Sequence, residues 1–224
     1  VKPYEAALDA IFTRIEKVRA SVNEHQIIKL VAVSKSVEPS AVESMYQCGQ
    51  RAFGENRVQE LKRKQEALTT LPLQWHFIGR LQKNKINQLI DLSPALVHSC
   101  DSLALAQEID KRLHVKGKRL DALLQINSAY ETAKAGVHPD VALDTYQAIQ
   151  ETCPNISLKG VMSIGAHTDE VRVIQQSFET TYKIYESLTP HGATICSMGM
   201  SQDFELAIAC GANMLRLGSV VFHE

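Results

Sequence analysis

Lys29-Leu30-Val31-Ala32-Val33-Ser34-Lys35 is the stretch on which the reading of the fold turns. Its first five residues are short, apolar and β-branched, bounded by polar residues, and predict a buried strand. Upstream, Leu8, Ile11, Phe12, Ile15, Val18 and Val22 recur every three or four positions, which marks one face of a helix from Glu5 to about Asn23. Downstream, seven more strand-like runs follow: Arg51–Phe53, Trp75–Ile78, Ala95–His98, Ala122–Ile126, Leu158–Met162, Ala193–Cys196 and Asn213–Leu217. Helical patterns such as Leu105/Ile109/Leu113 and Ile174/Phe178/Tyr182/Tyr185 separate them. Gly49 and Gly211 each follow a cysteine where a helix should end in a left-handed residue. Eight strand-then-helix units predict a parallel sheet with crossover helices. Closing it gives an α/β fold, a single (β/α)8 TIM-type barrel over residues 1–224 with an extra amino-terminal helix. An open doubly wound sheet is the competing architecture. It usually carries a glycine-rich first turn, whereas here the first strand runs into Ser34-Lys35-Ser36-Val37.

Composition supports a globular reading. The chain has 224 residues, 45% apolar and 22% charged, with no low-complexity tract or Pro/Gly-rich linker. A compact chain of this mass buries about 70% of the surface its unfolded form exposes, enough to fold without a disulfide or metal. Its 24 basic and 25 acidic side chains leave a formal charge of -1, which gives no net field toward nucleic acid or an anionic membrane. Cys48, Cys100, Cys153, Cys196 and Cys210 are scattered, with no CxxC pair, and read as free thiols in a reducing compartment. No run is long enough to span a bilayer, and Val1-Lys2-Pro3-Tyr4 is not a signal peptide. The cytoplasm is the expected location. The eight histidines show no HxxxH or HxH spacing, so no metal site is expected.

Barrel function sits at the carboxyl ends of the strands. Val31, Val33 and Lys35 share parity, so if the valines fill the barrel, Lys35 turns into its top. There an amine would be partly desolvated and its pKa lowered, as a Schiff-base lysine requires. A lysine that curls into solvent is the alternative, and spacing leaves both open. Gly54-Glu55-Asn56, Gly79-Arg80-Leu-Gln82-Lys83-Asn84-Lys85 and Gln125-Ile-Asn127 bring polar groups to the same end. Ser201, in Ser197-Met-Gly-Met-Ser201, is placed to open a helix whose first N–H groups favour a phosphate. Gly218-Ser219 follows the eighth strand, and Arg216 shares parity with Met214, which points it inward. An amine on the first strand and a phosphate cradle after the seventh and eighth together fit pyridoxal 5′-phosphate.

Leu30–Lys35, Phe53-Gly-Glu-Asn-Arg-Val-Gln-Glu60, Trp75–Lys85, Ser197–Phe204 and Leu215-Arg-Leu-Gly-Ser219 closely resemble the pyridoxal phosphate homeostasis protein family, in order and spacing. The resemblance implies a fold-type III barrel like the amino-terminal domain of alanine racemase, with no second domain and therefore a monomer. It implies that Lys35 carries the cofactor as a Schiff base and that Ser201, Gly218 and Ser219 hold its phosphate. Arg216 would face the pyridine nitrogen, and Asn56 would lie near the cofactor. The implied role is vitamin B6 homeostasis without robust turnover, with B6-dependent apoenzymes as conceivable acceptors. A racemase-type amino-acid enzyme on the same cofactor is the alternative, and a Schiff-base aldolase without B6 a third. The family commonly has Thr where Ser219 stands, and it usually follows Phe222 with Gly and a basic tail rather than His223-Glu224.

Overall fold

The computed structural model describes residues 3–23, 25–131 and 135–222. Its strands are β1 (Lys29–Val33), β2 (Ala52–Glu55), β3 (Gln74–Phe77), β4 (Leu96–Cys100), β5 (Leu120–Ile126), β6 (Ile156–Ser163), β7 (Ile195–Ser197) and β8 (Met214–Leu217). All ladders are parallel, and the sheet closes in chain order, with β8 beside β1. The connecting helices are α2 (Pro39–Gln47), α3 (Val58–Ala67), α4 (Ile86–Leu92), α5 (Leu103–Lys116), α6 (Ala142–Thr152), α7 (Val171–Leu188) and α8 (Phe204–Ala209). The leading helix α1 (Glu5–Val22) lies outside the repeat and packs on α8 and on the closing helix α9 (Ser219–Phe222). The open doubly wound sheet is thereby excluded.

Period-two alternation divides each strand between two cores. Outward residues such as Ala32, Phe53, Phe77, Val97, Leu124, Val161 and Leu215 meet the helices in one continuous apolar shell. Inward residues Val31, Ala52, Leu96, Leu123, Met162 and Met214, with Ile195 against them, form a separate plug in the barrel. On α1 the buried stripe is Leu8, Ile11 and Ile15, while Phe12 and Val22, which the spacing assigns to the same face, are exposed. Gly49 and Gly211 have φ of +103° and +104°, the left-handed termini expected after α2 and α8.

All five cysteines are free. Among the described residues there is no cluster of metal-ligating side chains, and no helix is long and apolar enough to cross a membrane.

Candidate cofactor site at the barrel mouth

Lys35 lies in the turn just after β1, two residues beyond Val33. The expectation of a desolvated amine is not met: the side chain is exposed, because the strand ends before it and the turn lifts it clear of the walls. Among the described residues it has no hydrogen-bond or ion-pair partner. Register fixes its neighbours. Ala32 pairs with Leu217, so the ends of β1 and β8 are adjacent, and a Cβ on Gly218 would rest 3.4 Å from Val33 Cβ.

Ser201 does not cap α8 as the sequence suggests. It stands in a turn ahead of that helix, and Asp203 occupies the cap position. Its Oγ instead accepts from the backbone N–H groups of Gly218 (3.2 Å) and Val220 (3.5 Å), at the start of α9. The loop after β7 therefore delivers one oxygen onto the N–H groups after β8. Gly199 makes this turn possible: its φ is +99°, and a Cβ there would lie 2.7 Å from Ala207 Cβ. Ser219, the first residue of α9, is exposed.

Arg216 is inward, as its parity with Met214 requires, and only 4% exposed. Nη1 donates to Ser197 Oγ at 2.7 Å, and Nη2 to the Ser163 carbonyl at 2.8 Å. Burial pulls its pKa down to about 10, against the opposing influence of Asp203. A polar chain continues beneath it. His98 Nδ1 lies 3.0 Å from Ser197 Oγ, and His98 Nε2 lies 2.9 Å from His76 Nδ1. Arginine can only donate, so the Ser197 hydroxyl proton is free to point at His98. His98 is then protonated at Nε2 and donates to His76. Burial depresses both histidines, His76 to about 3, and keeps them neutral. Histidine spacing along the sequence speaks only to metal binding and does not express this chain. The inward parity of His76, His98 and Ser197 was the available signal.

Glu55, grouped by its place at a strand end with the polar residues of the mouth, does not join them. Its parity turns it away from the mouth toward α3, where both it and Lys64 are fully buried and paired at 2.5 Å. Lys64 Nζ also donates to the Ser34 carbonyl, and Ser34 Oγ donates to Glu55 Oε1 at 2.6 Å. The residue immediately before Lys35 is thus fastened from behind, while Glu55 Oε2 is buried without a partner. Asn56 is exposed, on the β2–β3 side of the mouth, and makes no hydrogen bond to Ser201 or Arg216. A Cβ on Gly79 would fall 2.0 Å from the Asn56 carbonyl oxygen, so the loop after β3 is pressed against it.

A closed parallel barrel with a lysine after its first strand and an oxygen–amide corner after its last defines a recognisable class. The family model described as the alanine racemase, N-terminal domain matches residues 6–224. The pyridoxal phosphate homeostasis protein of Helicobacter pylori is 55% identical over 221 residues, 99% of each chain. Its human counterpart is 35% identical over 209 residues, covering 88% of this chain and 76% of that one. PipY of Synechococcus elongatus, solved with PLP bound, superposes with a TM-score of 0.78 at 33% identity, covering 93% of this chain and 99% of that one. A Clostridium difficile alanine racemase shares the fold at a TM-score of 0.73 and 18% identity. The chain belongs to the pyridoxal phosphate homeostasis protein family.

Proposed function

We propose that this protein binds pyridoxal 5′-phosphate at the barrel mouth and serves vitamin B6 homeostasis in the cytoplasm, without robust enzymatic turnover. One observation carries the reading. Adjacent strand ends bring an exposed amine, Lys35, without a partner among the described residues, beside a corner where Ser201 Oγ already sits on two backbone N–H groups, with the buried Arg216 guanidinium two residues before that corner. Those N–H groups and that hydroxyl suit a phosphate, and the absence of a side chain on Gly218 leaves room for one. When bound, the cofactor supplies an aldehyde that an amine can capture as a Schiff base.

Lys35 is the amine in this account, and the Lys64–Glu55–Ser34 clasp fixes the backbone that presents it. Ser201, Gly218 and Ser219 anchor the phosphate, Asn56 borders the site, and Arg216 faces the ring nitrogen. A fixed guanidinium disfavours protonation of that nitrogen, which weakens the ring as an electron sink. This supports storage and exchange over carbanion chemistry. The names of the Helicobacter pylori and human relatives and the PLP-bound PipY structure point the same way. The protein acts as a monomer and passes its cofactor to B6-dependent apoenzymes. Equilibrium dialysis against pyridoxal phosphate and pyridoxal, with steady-state assays on amino acids, tests the reading. Tight binding of the phosphorylated form with negligible product is expected. Turnover in the ordinary enzymatic range of roughly 1–1,000 per second would instead establish a racemase-type enzyme.

A further inference from the structure

Beyond Asn56, which borders this site, two stretches remain unused by it, Arg57-Val58-Gln59-Glu60 and Arg80-Leu81-Gln82-Lys83-Asn84-Lys85. The fold brings them together around one cavity of about 450 Å³ at the carboxyl ends of β2 and β3. We propose that this cavity binds a small polyvalent oxyanion, a phosphorylated or polycarboxylic metabolite, at a site separate from the corner formed by Ser201 and Gly218.

The charge pattern is the first argument. Arg57, Arg80 and Lys85 line the cavity, and none has a carboxylate partner among the described residues. Elsewhere Arg14, Arg19, Arg63, Arg112 and Lys116 each lie within 3.0 Å of an acidic side chain. Glu60, the carboxylate on the cavity wall, pairs with Arg63 at 2.9 Å, a guanidinium it shares with Glu38. The cavity therefore gathers three cations against the single carboxylate of Glu60, an excess of positive charge in a chain whose formal charge is -1. Gathering like charges is unfavourable unless an anion joins them.

The setting is the second argument. Val58 and Phe77, 3% and 1% exposed, are apolar surface of this cavity beside the cations, where the field is less screened than over open water. Asn56, Gln59 and Gln82 add amide donors. The tight packing of Gly79 on the Asn56 carbonyl fixes the backbones of the two loops against each other, so the stems of the cations start from a set frame. The volume lies within the range of small-molecule sites. Arg80 also lines a second cavity of about 310 Å³ with Gln125, Met162 and Ile164, and so stands between the two.

Calorimetry and backbone amide NMR on the full chain test this, with citrate and inorganic phosphate as probes against chloride at matched ionic strength. Saturable binding is expected, with shifts concentrated at residues 56–60 and 80–85. Arg80→Gln and Lys85→Gln should each weaken it roughly tenfold, the effect of one charge-assisted hydrogen bond. Ser201→Ala should leave citrate binding unchanged, which separates this site from the proposed cofactor corner. Preference for phosphate identifies a phosphorylated ligand, and preference for citrate a polycarboxylate. The proposal is overturned if neither probe saturates beyond chloride. It is also overturned if the shifts centre on residues 199–201 and 218–220, if the two cavity variants bind as the unchanged protein does, or if an acidic peptide binds where the small anions do not.

Discussion

Arg216 Nη1 and Ser197 Oγ lie 2.7 Å apart on neighbouring strands, both buried in the barrel. This contact couples a buried guanidinium to a hydroxyl that has a second neighbour, His98. Ser197→Ala would remove the link and leave a buried donor of Arg216 short of its acceptor. A loss of about 1–3 kcal/mol in unfolding free energy is expected. Chemical denaturation of the two proteins side by side measures it.

The two histidines below make stability depend on pH. Both are held below their ordinary pKa by burial, with Lys29 adding to the effect at His76, and His76 and Arg216 adding to it at His98. The unfolded chain therefore binds protons below about pH 6.5 while the native chain does not, and stability falls as pH falls toward 3. By pH 5 the depressed His76 should cost about 2 kcal/mol, and His98 acts in the same direction. Urea midpoints at pH 7 and pH 5 should differ accordingly. In His98→Gln and His76→Gln the difference should shrink. An unchanged slope would mean that the histidines titrate normally in the native barrel.

The Lys64–Glu55 pair should respond unequally to single and double replacement. Lys64→Met strands a buried carboxylate and should cost about 3–5 kcal/mol. Lys64→Met with Glu55→Leu removes both charges and should recover most of that loss. If the pair serves to fix the backbone ahead of Lys35, the double variant will melt near the parent temperature yet capture pyridoxal phosphate more slowly. Thermal melts and stopped-flow absorbance supply the two readings.

Ser201→Ala should weaken pyridoxal phosphate binding about tenfold or more, since one hydrogen bond to a charged phosphate is worth about 1.5–3 kcal/mol. Binding of pyridoxal, which has no phosphate, should be weak in both proteins and nearly unchanged by the substitution. Equal affinity of the parent for both compounds would remove the corner from the account.

The barrel was legible because each strand is a short apolar run between turn residues, and each helix keeps its 3.6-residue stripe. Parity then found the inward Arg216 unaided. Parity alone points Lys35 inward too, but it does not say where a strand stops, and β1 ends two residues before the lysine. Local sequence suggests α8 for Ser201, whereas its partners, Gly218 and Val220, are long-range and backbone-borne. Glu55 was grouped with the mouth because it sits at a strand end, although its parity with Phe53 turns it outward. The His76–His98–Ser197 chain crosses three strands, a relation that no local spacing expresses.

Mapping the amine that captures the cofactor tests the central claim most directly. The protein is loaded with pyridoxal phosphate, reduced with borohydride, digested and read by mass spectrometry. The account predicts a visible absorption band that borohydride bleaches, with the phosphopyridoxyl label on Lys35 and its loss in Lys35→Ala. A label confined to other lysines, such as Lys83 or Lys85, or an unchanged band in Lys35→Ala, would contradict it.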